Sequence, residues 1–175
     1  MEAPTIRPSL VADVPAITAI YARHVETGTA SFETTAPDEA EMHRRRDALA
    51  KNRYPYFVAE LGGEVCGYAY AGPYRTRPAY RHTVEDSVYV ASEAQRRGIG
   101  TALLHAVIGA CTDQGFRQMV AIIGDSSQTA SIGLHRAMGF AMVGTLRDVG
   151  YKHGRWLDTV FMQLTLGDGA STPPD

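Results

Sequence analysis

VYVASEAQRRGIGTALLHAV, residues 88–107, decides how this chain is read. Val88, Tyr89 and Val90 have the apolar and aromatic side chains of a strand. From Ile99 onward, Ala102, Leu103, Ala106, Val107, Ala110 and Cys111 recur at spacings of three and four, the pattern of a helix with one buried face. Gln95-Arg96-Arg97-Gly98-Ile99-Gly100 joins the two. A helix N-terminus offers unpaired N–H groups and a partial positive charge. Gly98 and Gly100 let a backbone come close to a ligand, and Arg96 and Arg97 add forked donors for phosphate oxygens. Together they suit a pyrophosphate. The spacing is neither GxGxxG followed by a strand-end acid nor GxxxxGK[ST], which sets aside the dinucleotide fold and the P-loop. On the residues alone, a glycine-containing helix start with two solvated arginines remains the competing reading.

Outward from this joint, the pattern predicts a first strand at residues 5–7 and a helix capped by Asp13 that carries Val14, Ile17, Ile20, Tyr21 and His24 on one side. A polar loop with the lone aromatic Phe32 follows. A second helix begins at Asp38, paired with Glu41, and runs to about Lys51. Residues 56–61 and 64–70 read as a hairpin closed by Gly62-Gly63, and residues 81–90 as the strand entering the joint. Gly115 ends the helix after the joint, and residues 119–123 read as a buried strand. A helix over residues 129–138, capped by Ser126 or Ser127, precedes closing strands at 140–146 and 156–166. In the last strand Trp156, Asp158, Val160, Met162, Leu164 and Leu166 share one face. The order implies an α/β (mixed α+β) fold: a mixed sheet with helices on both faces. Residues 1–166 form a single domain, and residues 167–175 (GDGASTPPD) read as a disordered tail.

The whole chain narrows the function classes. Its 175 residues suffice for one well-packed domain, and a net charge of −2 gives no footprint for nucleic acid. Arginines cluster locally instead, at 44–46, 75–81 and 96–97. Cys66 and Cys111 have no CxxC spacing, which fits a reducing cytoplasm without a disulfide framework. The N-terminal residues have no signal core and no apolar run approaches 18 residues, so a soluble, unprocessed cytoplasmic protein without membrane contact is expected. His24, His43, His82, His105 and His153 have no ligand spacing with one another or with the cysteines, and no metal is expected.

The Gln95-Arg96-Arg97-Gly98-Ile99-Gly100 loop resembles the acetyl-CoA pyrophosphate loop of the GNAT superfamily of N-acetyltransferases, Gln/Arg-x-x-Gly-x-Gly/Ala. The element order is similar to that fold over residues 5–166. Three further stretches, 69–90, 131–140 and 152–164, resemble the narrower phosphinothricin and methionine-sulfoximine acetyltransferase family. The resemblance implies a GNAT fold with a mostly antiparallel sheet of six to seven strands, acetyl-CoA as co-substrate, a small amine acceptor and a homodimer. It places the pantetheine arm along the backbone of Val88, Tyr89 and Val90, the pyrophosphate on Arg96, Arg97, Gly98, Ile99, Gly100 and Thr101, and an oxyanion donor near Val90. Gln128 stands where the family has a cofactor-contacting asparagine, and the longer side chain changes its reach. A candidate partner-facing segment is residues 152–158, which joins the closing strands and carries a large aromatic.

Acetyl transfer to an amine requires that an ammonium lose a proton, that an oxyanion be stabilised and that a thiolate leave. Glu85, three residues before Val88, is the first base candidate, supported by the resemblance; an exposed strand carboxylate is the alternative. Asp86 alternates to the opposite strand face and ranks lower, its backbone bordering the substrate together with Ser87. His135 stands where many superfamily members have a general-acid tyrosine; it reads as an acid, a cofactor contact or a packed side chain. Arg75, Thr76 and Arg77 form a turn-rich loop that the resemblance places at the substrate, where two guanidinium groups clamp a carboxylate and a phosphinate or sulfonyl oxygen; solvated surface arginines are the alternative. Phe32, with Tyr74 and Tyr80, is read either as the wall of an apolar slot or as core. The expected reaction is direct transfer in a ternary complex to the α-amino group of phosphinothricin, methionine sulfoximine or methionine sulfone. The competing readings are a GNAT enzyme acting on a protein N-terminus or a polyamine, and a non-catalytic acyl-CoA-binding module.

Overall fold

The computed structural model describes residues 3–174. Seven strands form one sheet in the order β1-β2-β3-β4-β5-β7-β6. The chain runs β1 (Thr5–Pro8), α1 (Val14–Thr27), α2 (Glu39–Lys51), β2 (Tyr56–Leu61), β3 (Glu64–Pro73), β4 (Thr83–Val90), α3 (Ile99–Asp113), β5 (Gln118–Gly124), α4 (Thr129–Ala137), β6 (Ala141–Lys152) and β7 (Arg155–Thr165). The element order is the one expected from the sequence. All neighbouring strands are antiparallel except β4 and β5. Gly62 and Gly63, at φ 59° and 84°, make the tight β2–β3 turn, which only residues tolerant of positive φ at both positions can form.

Strand alternation splits β3 into two packing surfaces. Tyr68 and Tyr70 face α1 and α2, where Val14, Ile17, Ile20, Tyr21 and Val25 are buried with Met42. Ala69 and Ala71 face α3, whose Ile99, Leu103, Leu104, Val107 and Cys111 are buried against Met119, Ala121 and Met162. Gly67 lies on this second face. A Cβ there would stand 3.2 Å from both Ile99 Cγ2 and Leu103 Cδ1, so glycine lets the first turn of α3 settle onto the sheet. Tyrosines on one side and small residues on the other thus set the distance of each helix from the strands.

Some local expectations are corrected. Asp13 does not cap α1 with its side chain; its carboxylate accepts from Arg7 and from the Leu10 N–H. Neither Ser126 nor Ser127 caps α4, whose N-cap is Gln128. Their hydroxyls donate to Asp158 and Asp125 instead, because the turn at Asp125, φ 79°, carries them away from the helix axis. The expected common face of β7 holds at Val160 and Met162, both buried, but Trp156 is 62 % exposed at the hairpin end. Residues 167–174, expected to be disordered, form turns where β5 begins and β7 ends, and there Arg117 donates to Gly169 O, Thr172 Oγ1 and Pro173 O. Asp175 lies outside the described residues. Asp38 does cap α2, accepting from the Glu41 N–H at 2.8 Å.

Candidate active site

The site is built around β4. Its pairing with β3 runs the full length of the strand, from Pro73↔Val84 to Gly67↔Val90. Its pairing with β5 covers only Thr83↔Gln118 to Asp86↔Ala121. Beyond Asp86 the two strands part, while β5 continues to Gly124 on its other partner, β7. The Ala91 N–H donates to Cys66 O. In an antiparallel ladder alternate residues address the same neighbour, so Tyr89 and Ser87 turn toward β3, and the peptide groups of Val88 and Val90 turn toward the gap. These are the groups onto which an extended ligand can add as a strand does. The Val90 carbonyl is taken, accepting from His24 Nε2 at 3.0 Å.

The α3 N-terminus closes one end of the gap. Its first intrahelical bond is from Ala102 N–H to Gly98 O, so the Ile99, Gly100 and Thr101 N–H groups precede the ladder. Gly98 at φ 76° and Arg96 at φ 60° turn the chain into the helix, with the Arg96 and Arg97 side chains exposed. A Cβ on Gly100 would meet Leu134 Cδ2 of α4 at 3.2 Å, with Val90 and Val88 just behind. The loop and the free strand edge therefore adjoin, as a pyrophosphate and its pantetheine arm require. Gln128 lines the gap, but its Nε2 donates to Thr29 Oγ1 at 2.9 Å, so the side-chain amide is committed inside the protein.

The two faces of β4 carry different chemistry. Glu85 and Ser87 face α2 and line a cleft of about 690 Å³. Arg75, Arg77 and Arg81 stand at its exposed mouth, with no carboxylate partner among the described residues; Tyr54 and Tyr70 supply aromatic wall. Thr76 and Tyr80 also line it. Arg75 lies over the Tyr74 ring, 5.2 Å from its centre. Arg45, also lining the cleft, is neutralised by Glu33 and Glu41 at 2.6 and 2.8 Å. Burial and the neighbouring Asp86 charge push the Glu85 carboxyl up to about 7, against the opposing pull of Arg75. A carboxyl titrating there is half-ionised near neutrality and suited to exchange protons.

On the opposite face, Asp86 and His135 are both buried. Asp86 Oδ2 lies 2.9 Å from His135 Nε2, and His135 Nδ1 lies 2.8 Å from Ser131 O. Both ring nitrogens are thus occupied, and the ring stands perpendicular to Phe140, with centres 5.0 Å apart. Burial pulls the His135 pKa down, but the Asp86 hydrogen bond and charge, with the Ser131 carbonyl, more than offset it and leave it raised. Donation from His135 to a ligand atom would require breaking one of these bonds.

Phe32 is placed away from the arginine cleft. Its ring lies over the backbones of Gly124 and Gly150, where a Cβ on either residue would collide with it. Arg81, Arg45, Tyr54 and Tyr70 were not singled out from the sequence as site residues. Arg81 belongs to the arginine cluster at 75–81, and Tyr70 follows from strand alternation across the Tyr70↔Ser87 pair. Arg45 and Tyr54 carry no such signal, because the approach of α2 to β3 brings them in.

The gap between β4 and β5, closed by a glycine-containing helix start, is the decisive observation for kinship. A family model described as "Acetyltransferase (GNAT) family" matches residues 17–140. The chain belongs to the GNAT acetyltransferase family. Among its GNAT relatives, phosphinothricin N-acetyltransferase of Alcaligenes faecalis is 53% identical over 163 residues, 93% of this chain and 83% of that protein. An L-methionine sulfoximine/L-methionine sulfone acetyltransferase of Pseudomonas paraeruginosa is 45% identical over 170 residues, 97% of this chain and 98% of that one. A GNAT phosphinothricin acetyltransferase from Sinorhizobium meliloti, solved in complex with AcCoA, superposes with a TM-score of 0.97 at 49% identity. That match covers 99% of this chain and 94% of the other. Among the described residues, no group of three or more His, Cys, Asp or Glu could hold a metal ion, and no helix is long and apolar enough to cross a membrane.

Proposed function

We propose that this enzyme transfers the acetyl group of acetyl-CoA to the α-amino group of a small anionic amino-acid analogue: phosphinothricin, methionine sulfoximine or methionine sulfone. The observation that carries the reading is the arginine-rimmed cleft, in which Glu85 titrates at about 7 beside the strand edge freed by β5. The guanidinium groups of Arg75 and Arg77 take the acceptor's anionic oxygens, with Arg81 adding charge at the same mouth. Ser87 and Thr76 border the acceptor. The acceptor's ammonium gives up a proton to Glu85, directly or through a water molecule, and the freed lone pair attacks the thioester carbonyl. The oxyanion forms near the Val90 N–H. The C–N bond forms, the C–S bond breaks as the oxyanion collapses, and the second proton of the attacking nitrogen passes to the departing CoA thiolate, whose conjugate acid titrates at about 8.5.

Both ligands meet on one strand, the acceptor on the Glu85 face and the pantetheine on the free edge from Val88 to Val90, which supports direct transfer in a ternary complex. Cys66 and Cys111 are buried thiols whose pKa values are raised by burial, Cys111 to about 12. Neither offers the thiolate that an acetyl-cysteine intermediate needs. A polyamine acceptor would want an acidic cleft mouth, and this one is cationic. A cytoplasmic homodimer completes the reading. The edge strand β6 exposes Met142, Val143, Leu146, Val149 and Tyr151, and Trp156 extends the same apolar strip. The partner surface therefore covers β6 as well as the hairpin end expected at residues 152–158, where Lys152 itself is buried on Ser31 O.

The test is steady-state turnover with acetyl-CoA against phosphinothricin, methionine sulfoximine, methionine sulfone, a neutral primary amine, a polyamine and a peptide N-terminus. Preferential acetylation of the three carboxylate-bearing analogues is expected. Equal or better turnover of the polyamine or peptide would overturn the substrate assignment, and no turnover of any amine would favour the non-catalytic alternative.

A further inference from the structure

Asp86 is the last residue of β4 to pair with β5, and His135 is the buried residue of α4 that reaches it. We propose that Asp86 is a positioning residue: it fixes the His135 ring in a two-donor arrangement and so pins α4 to β4 at the point where the sheet opens for the cofactor. The inference rests on reading the β4–β5 gap as the acetyl-CoA site.

The hydrogen-bond partners dictate the arrangement. Ser131 O is a carbonyl and only accepts, so Nδ1 carries a hydrogen. Asp86 Oδ2, as a carboxylate oxygen, also only accepts, so Nε2 donates as well and the ring is an imidazolium. Asp86 Oδ1 is buried without a hydrogen-bond partner. A buried carboxylate with only one donor group has a strong reason to keep that donor charged. If the ring lost its second proton while Nδ1 stayed on Ser131, the Nε2 lone pair would face the carboxylate lone pairs and the contact would turn repulsive.

The pin matters because of what α4 carries. Leu134, next to His135, is the side chain standing 3.2 Å from the Cβ position of Gly100 at the start of α3, beside Val88 and Val90. Ile132, Leu134 and Met138 only pack against the core on this side, so the Asp86–His135 bond is the directional link between α4 and β4. Release of His135 lets a nine-residue helix shift, and Leu134 shifts with it against the helix start proposed to hold the pyrophosphate.

The charged and titratable groups around the pair are few. Glu85 lies across the β4 backbone and titrates at about 7; its ionisation adds negative charge and favours retention of the ring proton. Cys111 faces Asp86 from α3 and stays a neutral thiol up to about pH 12. The facing part of β5, Val120 to Ile123, contributes none, Phe140 is an uncharged ring, and Arg136 on α4 is exposed. The pin is therefore intact at and below the ordinary histidine value of 6.5 and is lost as pH rises through the elevated His135 value.

Two measurements on the whole protein test this. In the free protein, the His135 ring proton resonance should titrate with a midpoint above 6.5 in wild type and well below that in Asp86→Asn, where burial remains and the carboxylate is gone. By calorimetry, wild-type acetyl-CoA affinity should be highest on the acid side of the His135 midpoint and fall about tenfold or more as pH rises through it. Asp86→Asn should lack the step, because above its lowered midpoint the neutral Nε2 accepts from the Asn Nδ2–H and the contact survives the pH range in which the wild-type pair is lost. His135→Gln, which donates to Asp86 without titrating, should lack it too and serves if Asp86→Asn does not fold. The proposal is overturned by a wild-type midpoint at or below 6.5, by equal midpoints in wild type and Asp86→Asn, or by an affinity step that survives in either variant or is missing in wild type. Neither measurement uses an acceptor amine, so a failure of the substrate reading would leave the outcome unaffected.

Discussion

Glu85 and Asp86 are adjacent carboxylates on one strand, and the structure treats them in opposite ways. Glu85 opens to a cleft of guanidinium groups and has no hydrogen-bond donor among the described residues, so burial, with the Asp86 charge, moves it up to about 7. Asp86 turns to the other face, is buried more completely, and is tied to His135. The period of two in a strand separates a carboxyl that can exchange a proton from one that holds a neighbour in place. Burial alone does not make a base; the partner on the carboxylate decides.

The sharpest way to break this contrast is Glu85→Gln. Loss of a general base lowers the rate by roughly 10²- to 10⁴-fold, so kcat near neutrality should fall by at least the lower figure. Because the raised pKa means that ionised Glu85 opposes folding, the same change should stabilise the protein above about pH 7, by at most about 3 kcal/mol. The stabilisation should vanish below the ordinary carboxyl value of 4.5, where both states are protonated. Turnover with thermal unfolding at two pH values checks both; a slow variant that is also less stable would make Glu85 structural.

A second test concerns the cleft mouth. Arg75→Ala or Arg77→Ala should raise KM for phosphinothricin about ten- to a hundredfold, the worth of a charge-assisted hydrogen bond. KM for acetyl-CoA and turnover of a neutral amine should hardly change. Equal losses with both acceptors would move the arginines out of the substrate site. On the cofactor side, Gly100→Val drives a branched side chain into Leu134, which should cost about 1–3 kcal/mol of stability, and the side chain at the helix start should block close approach of the pyrophosphate and weaken acetyl-CoA binding by roughly tenfold in calorimetry. Unchanged affinity in the folded variant would separate the helix start from the cofactor. The smallest effect is expected from Phe32→Leu. The ring packs on Gly124 and Gly150 outside the arginine cleft, so the change should cost about 1 kcal/mol of stability and leave acceptor KM within about twofold.

Much of this was legible before the structure. The spacing of Ile99, Leu103, Val107 and Cys111 gave α3, and alternation along residues 83–90 set Glu85 and Asp86 on opposite faces. The cluster at 75–81 pointed to a cationic mouth. What stayed hidden depends on long-range geometry. That Asp86 meets His135, 49 residues away, follows from the seating of α4 rather than from any local pattern. That the Phe32 ring lies over Gly124 of β5 and Gly150 of β6 follows from how those strands come together and not from its local sequence. Arg45 and Tyr54 join the cleft only because α2 packs beside β3. Asp13, a cap by sequence, accepts from both terminal nitrogens of Arg7, a bidentate charge-assisted pair stronger than the neutral backbone donors of a helix start.

The central claim is that Glu85 is the proton acceptor in acetyl transfer, and the pH dependence of kcat/KM tests it most directly. With phosphinothricin and saturating acetyl-CoA, the wild-type profile should rise through an acidic limb with an apparent pKa near 7, the value at which Glu85 becomes free to accept a proton. Glu85→Gln should lose that limb and regain rate only toward the pKa of the acceptor amine. A limb near 7 that persists in Glu85→Gln would contradict the account and assign the titrating group elsewhere.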